Sequence, residues 1–332
     1  MTTDPCEMEQ RLRELGRATT WQEAGPAAEE AWNAPYGPAE DWDLRIDEAE
    51  APGPHGPIPL RVYTPTTPTV PVESPRPALV WCHGGSFQHG DLDMPEGDRT
   101  ARGVAGRSGA VVVSVDYRLC DEPSGGAPAR RFPGPVLDVR APIPRLDVHA
   151  AVRWVREQAA TWGIDSARIA LGGASAGGNL AASASLQLAQ EGAAPAASLL
   201  LYPVCHPLNP QATAEEAVAL AELPAMLRFS PQKMRVMAEN YLGRPLEEAT
   251  AHDFPGVGSA EQLASLPRTY LEADEYDDLR CSARGYAEQL REAGVDVEYE
   301  VRRGVTHGHL NKVGLSQAAA TMDRMASILE EL

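Results

Sequence analysis

Five short strand-like runs limit most strongly how this chain can fold: Ala78 to Cys82, Ala110 to Val115, Arg168 to Leu171, Ser198 to Tyr202 and Thr269 to Glu272, the last being the least apolar. A strand with no regular polar face is one buried on both sides, and the stretches between these runs are long enough to hold a helix each. An α/β architecture satisfies both facts, with a mostly parallel central sheet flanked by helices. Two of the flanking helices are directly legible. Asp147 to Trp162 places Val148, Ala151, Val152 and Val155 on one face, and Asn179 to Glu191 is rich in Ala and Leu without proline.

Before the first run, residues 7–33 read as one or two helices, with Met8, Leu12 and Leu15 at helical spacing and Pro26 suited to a helix start. Trp42, Leu44 and Ile46 then alternate with Asp43, Arg45 and Asp47. A Pro/Gly turn from Pro52 to Pro59 leads to Leu60-Arg61-Val62-Tyr63, so a hairpin is expected. The Thr/Pro-rich stretch 64–77 reads as a linker. Two segments break the alternation: 121–145, rich in Pro, Gly and Arg, and 206–255, where Ala214 to Leu223 and Pro231 to Leu242 read as helices. The expected division is N-terminal cap helices over 1–40, a first part of the sheet-and-helix body over 41–205, a cap insertion over 206–255 and the second part of that body over 256–332.

Charge narrows the partners. With 47 acidic against 29 basic residues the formal net charge is −18, which repels phosphate backbones and anionic lipid, so neither a nucleic-acid nor a membrane partner is expected. Met1 to Gln10 has no apolar leader, and no stretch approaches the roughly 18 uninterrupted apolar residues of a membrane span, which reads as cytoplasmic. Five scattered cysteines (Cys6, Cys82, Cys120, Cys205, Cys281) contain no C-x-x-C pair and read as free thiols rather than as a disulfide framework or a zinc site.

The sharpest motif is Gly173-Ala174-Ser175-Ala176-Gly177, placed after the run ending at Leu171 and opening a helix near Gly178. Small residues flank a serine in this way when it sits on a strained strand-to-helix turn that exposes its hydroxyl as a nucleophile. A tight turn with an incidental serine is the plain alternative, and the strand-turn-helix placement argues against it. His83-Gly84-Gly85-Ser86-Phe87, just after another run, offers backbone donors for an oxyanion from Gly84 and Gly85, with the Ala176 amide completing the set. Ser86 and Phe87 of the same loop are candidate substrate-binding residues. A general base and its orienting acid should follow the serine in the order acid, then histidine. Asp277 and His307 fit that order. Asp274, Glu275 and Asp278 compete for the acid role and His309 for the base. The His307-x-His309 pair also invites a metal reading, but no third ligand has suitable spacing, so no metal is expected.

These motifs together resemble the hormone-sensitive-lipase-like family of α/β-hydrolases, the group with an H-G-G-G type oxyanion motif. The likeness extends to Gly53 to Tyr63 as the entry hairpin, Ser114 to Leu119 as the tyrosine-arginine-leucine strand end, Asp277-Asp278-Leu279-Arg280 and His307-Gly308-His309. It spans roughly residues 45–330. The resemblance implies an α/β-hydrolase fold with a helical cap, and a serine hydrolase that cleaves carboxylic esters of small or medium acyl groups through an acyl-enzyme, with no cofactor. Other outcomes are an amide or carbamate deacylase, a lyase or cyclase, or a non-catalytic ligand-binding relative. The partner implied is a small-molecule ester, and a homodimer is kept open. Three departures stand out: Ser86 for a third glycine, Ala174 where the family often has an acid, and a longer 121–145 segment. That segment is expected to line the pocket mouth, with Arg130 and Arg131 favouring anionic substrates.

Overall fold

The computed structural model describes residues 6–67, 75–121 and 138–332. Among them, one sheet is built from β1 (Leu44–Ala51), β2 (Ile58–Pro65), β3 (Arg76–Cys82), β4 (Val111–Val115), β5 (Ile164–Ala174), β6 (Ser198–Leu201), β7 (Thr269–Tyr276) and β8 (Val297–Thr306). The spatial order is β1-β2-β4-β3-β5-β6-β7-β8. β2 runs antiparallel to both β1 and β4, and every other neighbouring pair is parallel. The helices are α1 (Glu7–Leu15), α2 (Trp21–Ala24), α3 (Pro26–Asn33), α4 (Pro95–Ser108), α5 (Ile143–Glu157), α6 (Ala159–Trp162), α7 (Ala176–Gln190), α8 (Ala214–Ala221), α9 (Pro231–Leu242), α10 (Ala260–Leu263), α11 (Arg280–Glu292) and α12 (Ser316–Glu330).

The sheet is buried on both faces, which is why its central strands lack a polar side. Ala78, Val80 and Cys82 of β3 join one core with α5, α7 and α11, while Leu79 and Trp81 join another with α1, α4 and α12. Two of these strands outrun their strand-like runs. β5 continues through Gly172-Gly173-Ala174 because it is paired on both sides, by β3 and β6, and a Cβ on Gly172 would lie 2.8 Å from the Leu199 carbonyl oxygen. β7 continues to Tyr276, and β8 beside it to Thr306, because the charged residues along them find partners. Arg302 binds Glu272, His309 binds Asp274 and Arg303 binds Glu275. The N-terminal segment forms three helices rather than one or two, because Gly16 and Gly25 adopt positive φ (59° and 89°) and interrupt it. All five cysteines are free. No helix among the described residues is long and apolar enough to cross a membrane.

Candidate active site

The strand-to-helix turn holds Ser175 at φ 54° and ψ −117°, a conformation an L-residue adopts only under constraint from its surroundings. The flanking glycines are required by close approach: a Cβ on Gly173 would collide with the Gly177 carbonyl, and one on Gly177 with the Cys82 and His83 carbonyls. The helix therefore starts at Ala176, directly after the serine. As the first residue of α7, Ala176 has an amide with no partner inside the helix.

Across the sheet edge, the β7–α11 turn carries Asp277 and the end of β8 leads to His307. His307 Nε2 lies 2.9 Å from Ser175 Oγ and its Nδ1 lies 2.7 Å from Asp277 Oδ2. A carboxylate can only accept, so Nδ1 carries the proton and Nε2 is left to accept from the serine hydroxyl. Asp277 is buried, and its other oxygen accepts the Leu279 amide at 2.9 Å. Tyr202 and Phe229 meet the imidazole edge-on at 5.1 and 4.7 Å. Burial works to lower the His307 pKa, but the charges of Asp277, Asp274 and Glu96 together outweigh it, so the net direction is upward from 6.5.

The rival acids are each engaged elsewhere. Asp278 is gripped by Arg228, Nη2 to Oδ1 at 2.7 Å, and accepts the Phe229 amide at 2.7 Å. Glu275 accepts the Gly304 amide at 2.7 Å and Arg303 at 3.0 Å. Asp274 bonds His309 Nδ1 at 2.8 Å, while His309 Nε2 lies 2.9 Å from Thr321 Oγ1, whose hydroxyl donates to Glu272 at 2.6 Å. Glu272, Asp274 and His309 are close enough for a metal ion to bridge them. Both ring nitrogens of His309 are, however, already committed to protein partners within a fully buried network.

The loop after β3 departs from expectation at two residues. The Gly84 amide donates to Glu96 Oε2 at 2.5 Å, so it is not free for a substrate oxygen. The next two residues, Gly85 and Ser86, line the cleft beside Ser175, and among the described residues neither of their amides meets a protein acceptor. Phe87 is fully buried rather than facing substrate. It stacks on Tyr241 at 3.9 Å and meets Phe254 edge-on at 6.3 Å, fastening the loop to α9. Arg130 and Arg131 lie outside the described residues.

Residues 79–311 match the model of a family described as having the alpha/beta hydrolase fold. The chain belongs to the hormone-sensitive-lipase-like esterases. It is 35% identical over 283 residues to the esterase LipI of Mycobacterium tuberculosis, covering 83% of this chain and 78% of that one. The ethyl acetate hydrolase of Pseudomonas putida is 32% identical over 285 residues, covering 82% and 74% respectively. Among solved structures, the hyperthermophilic esterase of Pyrobaculum calidifontis matches with a TM-score of 0.72 at 29% identity, over 86% of this chain and 85% of that one. This member of the family is a carboxylic ester hydrolase.

Glu96, on the first turn of α4, belongs to none of the motifs that stand out in the sequence. In the fold it is buried, and besides Gly84 its carboxylate accepts the Tyr202 hydroxyl at 2.7 Å and Asn311 Nδ2 at 3.3 Å. It ties the loop after β3, the segment after β6 and the segment after β8 to one point. The motif histidine has a comparable inward role: the Tyr117 hydroxyl donates to the His83 carbonyl at 2.7 Å and the two rings stack at 4.6 Å. Arg118 joins buried Asp147 at 2.6 Å and donates to the carbonyls of His55 and Pro57, which ties the strand end after β4 to the entry hairpin.

Proposed function

We propose that Ser175, His307 and Asp277 form the catalytic triad of this esterase, with the amides of Gly85, Ser86 and Ala176 as the oxyanion hole. The observation that carries this reading is the unbroken chain of 2.9 and 2.7 Å contacts from the serine hydroxyl through the imidazole to a buried carboxylate, opening onto a cleft of about 410 Å3. His307 takes the Ser175 proton as Oγ attacks the ester carbonyl, and the oxyanion develops against the three amides. Collapse expels the alcohol, which leaves with the proton from His307. Water, deprotonated by the same imidazole, then attacks the acyl-enzyme and releases the acid, returning the proton to Ser175. Asp277 holds the tautomer and stabilises the imidazolium.

The segment over 206–255 contributes Met226, Leu227 and Phe229 to the cleft wall, and the N-terminal helices contribute Trp32. That lining supports reading both segments as a cap that restricts the cleft to small or medium acyl groups. The free, mostly buried thiols fit a cytoplasmic enzyme acting on a soluble ester. Ser175→Ala is expected to lower turnover of a short-chain chromogenic ester by about 10⁴-fold or more at an unchanged thermal midpoint. Wild-type-like hydrolysis by the folded variant would refute the assignment, and mass spectrometry after an organophosphonate trap should place the adduct on Ser175.

A further inference from the structure

One wall of the cleft carries a charge that the triad does not use. Lys312 lies in the turn between β8 and α12 and lines the cleft together with Ser175, His307, Ser86 and Trp32. Its ammonium donates to the Trp32 carbonyl oxygen at 3.1 Å and sits 4.7 Å from the centre of the Trp32 ring. An ammonium has three donors, so two remain for another partner. Although the chain has 47 acidic residues, no carboxylate among the described residues forms an ion pair with Lys312. Among the described residues the one acid lining the cleft is Glu96, and both of its oxygens are taken by Tyr202, Asn311 and Gly84. Burial, and then the Arg11 guanidinium, hold the Lys312 pKa down to about 8, as expected of a cation with no carboxylate beside it among the described residues. A neighbouring hollow shares Lys312 in its wall, but Trp32, which holds the ammonium, belongs to the cleft that contains Ser175.

We propose that Lys312 is an anion anchor, and that the preferred substrates are carboxylic esters bearing a second, ionised carboxylate that reaches its ammonium while the ester carbonyl lies at Ser175. The inference rests on the cleft beside Ser175 being the site of ester cleavage. A half-buried ammonium on a tryptophan face, with two donors open, matches a carboxylate of the substrate and gives a neutral ester nothing extra. The purely structural alternative is that Lys312 only staples α3 to the catalytic body through the Trp32 carbonyl. Those two roles predict different readouts.

The test compares kcat/KM of the wild type, Lys312→Met and Lys312→Arg on two matched substrate pairs. In the first pair the charge is on the acyl side: the 4-nitrophenyl half-ester of glutaric acid against 4-nitrophenyl pentanoate. In the second it is on the alcohol side: 4-acetoxybenzoate against 4-acetoxybenzamide. The wild type should favour the charged member of at least one pair. Lys312→Met should lower kcat/KM on that member by about tenfold to a hundredfold, mainly through KM, while the neutral member changes by about twofold or less. Lys312→Arg should keep most of the preference. Should the methionine variant fail to fold, Lys312→Gln keeps a donor for the Trp32 carbonyl and removes the charge. Equal losses on charged and neutral members, or no preference in the wild type on either pair, would overturn the anchor. Hydrolysis of the neutral esters by the wild type would in that case still leave the esterase site standing.

Discussion

Replacing Glu96 tests how far a residue with no direct claim on substrate supports the catalytic geometry. Its carboxylate accepts from the fully buried Tyr202 hydroxyl at 2.7 Å and from the Gly84 amide at 2.5 Å, with a longer contact to Asn311. Glu96→Ala strands two firm donors without acceptors. At about 1–3 kcal/mol for each unsatisfied buried group, the variant should lose about 2–6 kcal/mol of stability. Glu96→Gln retains one acceptor and should lose about half as much. The tether at Gly84 also sets where the following Gly85 and Ser86 amides point, and a lost oxyanion donor commonly costs about 10²–10³ in kcat. A loosened loop should therefore cost Glu96→Ala about 10–100-fold in kcat on a neutral short-chain ester, with KM nearly unchanged. Because the Glu96 charge helps raise the His307 pKa, both variants should also move the acid limb of kcat/KM to lower pH. Urea unfolding and a pH–rate profile read these effects separately. An alanine variant within about 0.5 kcal/mol of the wild type and with an unaltered kcat would refute the idea that Glu96 holds the loop.

Other substitutions and the response to pH have expected outcomes as well. Asp277→Asn should lower kcat by about 10³–10⁴-fold, because an amide at that position cannot enforce the required imidazole tautomer. Asp278→Asn should chiefly raise KM by loosening Arg228 and, next to it, Phe229 at the cleft wall, and matched kinetics of the two variants decide between these roles. Activity on neutral esters should rise with pH through a value above 6.5, since the upward-shifted His307 must be neutral to act as a base, and a limb centred below 6.5 would contradict the charge environment. By linkage, the stability that His307 contributes as imidazolium is fully present below about 6.5 and fades as pH rises through its folded-state value. Phe87→Ala should cost about 3–5 kcal/mol by emptying the stack with Tyr241 and Phe254, and a loss below about 1 kcal/mol in thermal or urea unfolding would place Phe87 outside that core.

Much of the architecture is legible in the chain because it depends on local pattern. Ala78 to Cys82 and Ala110 to Val115 have no polar face, so they had to be covered on both sides, and the two cores on either side of β3 are what that requirement produces. The Gly173–Gly177 turn is equally local, since close backbone approach excludes a side chain at both glycines. Strand ends were less legible. The second half of β7 carries Glu272, Asp274 and Glu275, unfavourable in a strand until Arg302, His309 and Arg303 pair with them.

The sequence by itself therefore determined the layered sheet, the turn that presents Ser175 and the order in which an acid and a histidine follow it. Only the tertiary structure decided partnerships between distant segments. It set Asp277, and not Asp274, Glu275 or Asp278, against His307, turned the Gly84 amide onto Glu96, buried Phe87 against Tyr241 and brought Lys312 under Trp32. A side chain's type says what it can bond, but the partner it meets depends on packing between elements far apart in sequence, 280 residues for Lys312 and Trp32. Local periodicity carries no record of that packing, and the hydrogen-bonding demand of each buried group is met only once the sheet has closed around it.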